Sequence, residues 1–294
     1  MNTDAPAGKQ VLGVYISGYH ITTLIVDLAT GNTLRSSYQR VPVNSWGTAD
    51  EIIGTCATVI KKALTENHVD IHFIGIAMPG PFDYEQGISY IRNNKKHDAL
   101  YGLNVKQLLA EQVGIATDQL CMLSDAAAFL KGEVFAGVAK GEDRLIGLTL
   151  GTGLGTARLK DGVAEDANLW CMPFLDSIAE DYLSERWFLK RYYELSGINV
   201  VNVKELSSFY QSSSTVKSVF KEFAVNLANF TGNFVHAVQP KMVVLSGDIS
   251  RASDCFLAAY KAQLAKIGLE DLPINVSKLN SEAVMIGAAT SWLN

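Results

Sequence analysis

The stretch IGLTLGTGLGTARLKDG, Ile146 to Gly162, reads as an apolar run, a turn with three glycines in five positions, a second apolar run and a Lys-Asp-Gly turn. Near the amino terminus, LGVYISGYHITTLIVDLATG, Leu12 to Gly31, follows the same plan: strand, glycine-containing turn, strand, Asp-x-x-x-Gly turn. A pattern that occurs twice implies two similar lobes, each opening on a β-hairpin, and not a solenoid. At 294 residues a single core is near its size limit, so two lobes of about 150 residues with a cleft between them are expected.

Outward from the first hairpin, Val11–Ile16 and Ile21–Leu28 flank Ser17-Gly18-Tyr19-His20, and a turn at Ala29–Asn32 leads into a third run, Thr33 to Val41. That is an antiparallel meander. Ala49 to Leu64 puts Ile52, Ile53, Cys56, Val59, Ile60 and Ala63 on one helical stripe, and Ile71 to Met78 reads as a strand ending at Pro79-Gly80-Pro81. Helix Val105–Val113, strand Gln119–Leu123, helix Ala126–Val138 and strand Arg144–Leu150 then alternate. The order argues for an α/β protein. Helices are expected at Ile178–Leu195, Val216–Val238, Phe256–Ile267 and Glu282–Trp292, short strands at Met242–Leu245 and Ile274–Val276, and a polar surface loop at Ser207–Ser214.

Composition removes several classes. With 48% hydrophobic and 19% charged residues, disorder, collagen and coiled coil are excluded. The formal charge is −5 and no basic run exceeds Lys61-Lys62 or Lys95-Lys96, so no nucleic-acid footprint is expected. The first ten residues lack the layout of a signal peptide, and no apolar run reaches the ~20 residues of a membrane span. A cytoplasmic protein without a membrane partner is expected. Cys56, Cys121, Cys171 and Cys255 form no CxC or CxxC, so they read as buried free thiols. The histidines give no ligand pair beyond His68 and His72, which flank a turn; no metal set made of protein residues is expected.

Four segments are candidates for chemistry. Glycines at 151, 153 and 155 remove Cβ atoms, so that backbone N–H groups can approach phosphate oxygens, although a plain hairpin turn needs glycine as well. The segment is neither a Walker A loop nor a Rossmann fingerprint. Ser124-Asp125 stands between an apolar strand and an alanine-rich helix. Either residue can cap the helix, and a carboxylate at a strand end can take the proton of an attacking hydroxyl. Gly75 to Asp83 ends in a rigid Pro-Gly-Pro turn, and Val243 to Ile249 is a strand, a Ser-Gly turn and a helix start; each alone is an ordinary connection.

Taken in order, five pieces resemble the ROK family of bacterial sugar kinases and repressors: Gly75–Ser89, Ser124–Gly141, Leu148–Gly162, Val243–Ala252 and Glu282–Trp292. The resemblance runs from Leu12 to Leu293. It implies a two-lobed actin-like ATPase (ribonuclease H-like) α/β fold with duplicated β-meander lobes. Residues 1–120, completed by a C-terminal helix at 281–294, would form the small lobe and 121–280 the large one. It also implies ATP with Mg²⁺, transfer of the γ-phosphoryl group to a hexose or N-acetylhexosamine hydroxyl, and a homodimer. Asp125 matches the general base. Gly18, Gly151, Thr152, Gly153, Gly155 and Gly247 match nucleotide-binding positions, and Gly80, Asn94, Ser124, Asn168 and Glu180 match sugar-binding ones.

The departures matter as much. Where the family's first phosphate loop opens with Asp, this chain has Tyr15, a neutral phenol that cannot replace a carboxylate beside Mg²⁺. Ser124 stands where Asn is common, and Asn168 and Cys171 stand for a sugar-gripping Glu and His. The zinc cysteine cluster is missing, so no structural zinc is expected. Trp170 offers either a face for a sugar ring or core packing. Only about ten residues precede Val11, so a repressor's helix-turn-helix, and with it direct DNA binding, is not expected. Two readings stand: an ATP-dependent sugar kinase, and a degenerate kinase that binds a sugar or nucleotide without turnover as a sensor or regulator.

Overall fold

In the computed structural model, which describes residues 10–67, 71–92 and 96–293, the amino-terminal meander consists of β1 (Gln10–Ile16), β2 (His20–Asp27) and β3 (Thr33–Pro42). β1 pairs antiparallel with β2, Ile16 opposite Ile21, and β2 pairs with β3 across a register shift between Thr23 and Ile25. The β2–β3 turn is closed by Asp27, whose Oδ1 accepts the N–H groups of Ala29 and Thr30 at 2.9 and 3.0 Å. These bonds hold its carboxyl below the usual carboxylate range.

The meander runs into α1 (Ala49–Glu66), which starts at a capping box. Thr48 Oγ1 accepts the Glu51 N–H, and Glu51 Oε2 accepts the Thr48 N–H, an arrangement worth about 1 kcal/mol. Its stripe of Ile52, Ile53, Cys56, Val59, Ile60 and Ala63 is buried. After it come β4 (Ile74–Met78), the short β5 (Phe82–Asp83) and β6 (Ile88–Ser89), α2 (Val105–Val113), β7 (Leu120–Ser124) and α3 (Asp125–Ala136). The first sheet has the order β3-β2-β1-β4-β7, with β4 parallel to both β1 and β7.

The second sheet repeats this plan. β8 (Leu145–Leu150), β9 (Leu154–Lys160) and β10 (Val163–Asp166) form its meander. The short β11 (Pro173–Phe174) and β12 (Ser177–Ile178) follow, then α4 (Ala179–Leu183), α5 (Glu185–Ser196), α6 (Val203–Ser208) and α7 (Ser214–Val238). β13 (Val243–Ser246), α8 (Leu257–Lys266) and β14 (Ile274–Val276) complete the series, and the sheet order is β10-β9-β8-β13-β14. Each sheet is thus a three-stranded meander extended by two parallel strands.

The helix expected over Ile178–Leu195 is two helices, broken at Ser184, whose backbone is extended (φ −117°, ψ 167°). The Glu185 N–H that would continue the first helix donates instead to Gly151 O at 2.8 Å. Residues up to Ser208, expected as surface loop from Ser207, end α6. The thiols also differ from expectation. Cys56 is buried and desolvation pushes it up to about 12, but Cys121 and Cys255 are partly exposed and Cys171 is exposed.

The chain divides into a first unit, Met1–Lys140 with Ser281–Asn294, and a second, Gly141–Asn280. Each has its own apolar core. Leu12, Val14, Ile16, Ile60, Ile76 and Leu109 belong to the first, and Leu148, Phe188, Phe220, Phe223, Leu245 and Phe256 to the second. The carboxy-terminal helix α9 (Ser281–Ala289) lies in the first unit against α3. A Cβ at Gly287 would coincide with the Ala128 carbonyl, and one at Gly132 with that of Ala283. Glycine at these two places lets the helix backbones meet. Among the described residues no helix is long and apolar enough to cross a membrane.

Candidate functional site

In the first unit the parallel strands β1, β4 and β7 end side by side, Tyr15 opposite Ala77 and Ala77 opposite Leu123. Such strand ends are where open α/β sheets hold ligands. Ser124 takes the extended backbone of an N-cap (φ −66°, ψ 146°), and its Oγ accepts the Ala127 N–H at 3.1 Å. The hydroxyl is therefore a cap, on a residue that is buried. Asp125 is the first residue of α3, where the helix dipole favours a negative charge. Tyr15 Oη, from the end of β1, donates to Asp125 Oδ2 at 3.3 Å. The tyrosine that replaces an acid in the sequence pattern is thus bonded to the carboxylate proposed as base.

Beyond β4 the chain turns through a cis Gly80–Pro81 peptide. Tyr84 Oη returns to donate to Met78 O at 2.9 Å, and a Cβ at Gly80 would lie 3.1 Å from that hydroxyl. The Ser17–His20 turn between β1 and β2 is closed by the Ser17 N–H bonded to His20 O at 2.8 Å and the His20 N–H bonded to Ser17 Oγ at 3.1 Å. Gly18 is in this turn. Asn94 and His68 lie outside the described residues.

In the second unit the glycines sit between β8 and β9. Gly151 N–H donates to Gly153 O at 3.0 Å, Thr152 is exposed, and Gly155 pairs with Thr149. A Cβ added at Gly151 would meet nothing within 4 Å, so one side of the turn is open. The other side is braced by Glu180, the second residue of α4. Its Oε2 accepts the Leu154 N–H at 3.0 Å, its Oε1 accepts from Arg186 at 2.8 Å, and a Cβ at Gly153 would fall 2.5 Å from Oε2. Gly247, at φ 91°, follows β13, and a Cβ there would run into the Leu150 carbonyl. The close approach places the β13 turn beside the β8–β9 turn.

Asn168 has a left-handed backbone (φ 52°, ψ 32°) and its N–H donates to Asp166 Oδ1 at 2.8 Å; its carbonyl accepts from the exposed Cys171. Trp170 is 37% exposed, which sets it outside the core. No group of three or more His, Cys, Asp or Glu among the described residues is placed to hold a metal ion.

The ROK family model matches residues 11–165 and 176–294. The chain belongs to the ROK family. Similar proteins include the glucokinase of Thermotoga maritima, 23% identical over 96% of both chains, and the N-acetyl-D-glucosamine kinase of Haemophilus influenzae, 23% identical over 83% of this chain and 88% of that protein. Among solved structures, the ROK glucokinase of Streptomyces griseus in complex with glucose and AMPPNP superposes with a TM-score of 0.78 at 20% identity, covering 96% of this chain and 99% of that one. The ROK fold is the two-lobed actin-like α/β architecture, and the two sheets of matching order are its duplicated β-meanders. Two residues of this ROK chain escaped sequence reasoning. Lys96 and His97 contact the Ser17–His20 turn, and their only mark in the sequence is a short basic pair beside a histidine.

Proposed function

We propose that this chain is an ATP-dependent kinase that phosphorylates a hydroxyl of a hexose or an N-acetylhexosamine. The observation that carries the reading is the position of Asp125, at the ends of three parallel strands and at a helix N-terminus, with one carboxylate oxygen bonded to Tyr15. The names of the relatives support the acceptor class: one is a glucokinase, another an N-acetylglucosamine kinase.

In this reading Asp125 takes the proton of the sugar hydroxyl as that oxygen bonds to the γ-phosphorus. The bond from the γ-phosphorus to the bridging oxygen of ADP breaks, and ADP leaves with the electron pair. The open face at Gly151 suits close approach of phosphates to backbone; Gly153, Gly247 and Gly18, where a Cβ would meet Glu180, Leu150 and Lys96, are assigned to the nucleotide on the family resemblance and shape the two turns. Gly80, Asn94, Ser124, Asn168 and Glu180 are assigned to the sugar. The Ser124 hydroxyl and both Glu180 oxygens already have protein partners, so they serve the sugar chiefly by fixing backbone. Mg²⁺ in such sites is held by one or two carboxylates together with the nucleotide phosphates and water; Asp125 is the carboxylate placed to take part, while Tyr15 offers a phenol where the family pattern has an acid. Magnesium would enter with the nucleotide as MgATP and supply charge neutralisation at the phosphates.

The same Tyr15–Asp125 bond favours a second reading, a binder without turnover, because it commits the base to a neutral donor. ADP release measured over a panel of hexoses and amino sugars separates the two. Sugar-stimulated ADP formation supports the kinase; sugar binding by calorimetry without any ADP formation overturns it. In the kinase, Asp125→Asn is expected to lower kcat by roughly 10²- to 10⁴-fold with sugar affinity retained. An unchanged kcat removes Asp125 from the role of base.

A further inference from the structure

The Ser17–His20 turn is held from outside by a segment some eighty positions along the chain. His97 has a left-handed backbone (φ 59°, ψ 14°), its N–H donates to Ser45 O at 2.8 Å, and its Nε2 stands 3.0 Å from Ser17 O. A carbonyl only accepts, so Nε2 carries the proton. The residue is 1% exposed and its Nδ1 has no partner among the described residues, in keeping with a neutral ring.

This anchorage puts the preceding residue over the turn. A Cβ at Gly18 would lie 2.7 Å from Lys96 Cδ and 3.3 Å from Nζ, so the lysine stem occupies the space that glycine leaves. The ammonium then rests 4.0 Å above the centroid of the Tyr19 ring. Among the described residues the ammonium's partner is this aromatic face and not a carboxylate. An exposed cation–π contact is weaker than a charge-assisted bond to phosphate, so the lysine gains by exchanging one for the other. The turn offers an anion no competing acid: Tyr15, Ser17, Gly18, Tyr19 and His20 are all without a carboxyl group.

We infer that Lys96, delivered by His97, is a phosphate-binding residue of the Ser17–His20 turn that engages the terminal phosphates of the nucleotide. The inference rests on the phosphotransfer reading above and names the cation of its first turn. Transfer to a sugar needs the charge on the γ-phosphate offset, and a positioned ammonium adds to that offset.

Calorimetry of the full chain with MgATP, AMP and tripolyphosphate tests it, on wild type, Lys96→Gln and Lys96→Arg. Lys96→Gln is expected to weaken MgATP and tripolyphosphate about 10- to 100-fold, the loss of one hydrogen bond to a charged group. AMP, which lacks the terminal phosphates, and the sugar are expected to bind as before, and Lys96→Arg to retain most of the affinity for MgATP. Equal MgATP affinity in wild type and Lys96→Gln overturns the inference and leaves the kinase reading standing. So does an equal loss for AMP, which marks general damage to the turn. If wild type binds neither MgATP nor tripolyphosphate, the kinase reading falls and takes this inference with it.

Discussion

Tyr15 and Asp125 show how much chemistry one substitution can redirect. An acid at position 15 would face Asp125 as a second negative charge, whereas the phenol reaches past Ala77 and donates a hydrogen bond to Oδ2 at 3.3 Å. Removing the hydroxyl while keeping the ring isolates that bond. In the kinase reading Tyr15→Phe is expected to lower kcat by roughly 10- to 100-fold, the worth of one hydrogen bond to a charged group, with the KM for sugar unchanged. Steady-state kinetics on the sugar that best stimulates ADP release checks it. A rise in kcat would mean that the phenol restrains Asp125, and would favour the reading of a silenced kinase for the wild type.

Among the elements, α3 and α9 depend most on single residues. Asp125 begins α3, and α9 packs along it through Gly132 and Gly287, where any Cβ would meet a carbonyl of the opposite helix. Gly287→Leu is expected to destabilise the protein by about 1–3 kcal/mol, the usual cost of overpacking a tight contact. Urea unfolding measures it, and an unchanged midpoint would show that the helices separate freely. The meanders and the α1 stripe are legible in the sequence, because alternation, helical period and turn residues such as Asp27 and Gly31 act over a few positions. The break at Ser184 is not. Apolar residues at 179, 183, 187 and 188 carry the helical pattern straight through it, and what breaks the helix is a bond from Glu185 N–H to Gly151 O, more than thirty residues away. His97 is equally hidden. Its left-handed backbone is stabilised by Ser17 and Ser45, and no local pattern announces either partner. Glu180 has a further part that no local pattern announces. Besides the sugar role that the family resemblance implies, its Oε2 accepts the Leu154 N–H and braces the Gly153 turn.

For the molecule as a whole, two sheets of the same order carry two separate cores, and the charged groups that respond to pH near neutrality are few. Burial lowers the pKa of His97, with the nearby Lys96 ammonium adding to the effect and the Ser17 carbonyl opposing it. His20 is lowered as well, by desolvation and by Arg40. Well above the ordinary histidine value of 6.5 both histidines are neutral folded or unfolded, so they give stability no slope there. As pH falls through that value the unfolded chain takes up protons that the folded histidines refuse, and stability drops until the folded pKa values are passed. Asp27 and Asp143, lowered by their hydrogen-bond partners, lose their contributions only in the more acidic carboxylate range. The urea midpoint is therefore expected to decline from pH 7 to pH 5. His97→Gln, which keeps an N–H for Ser17 O but has nothing to titrate, is expected to flatten most of that decline, because His97 is buried and His20 is largely solvated. A slope unchanged in this variant would mean that His97 is already free to protonate in the folded protein. The ring would then be too loosely held to fix Lys96 above the turn.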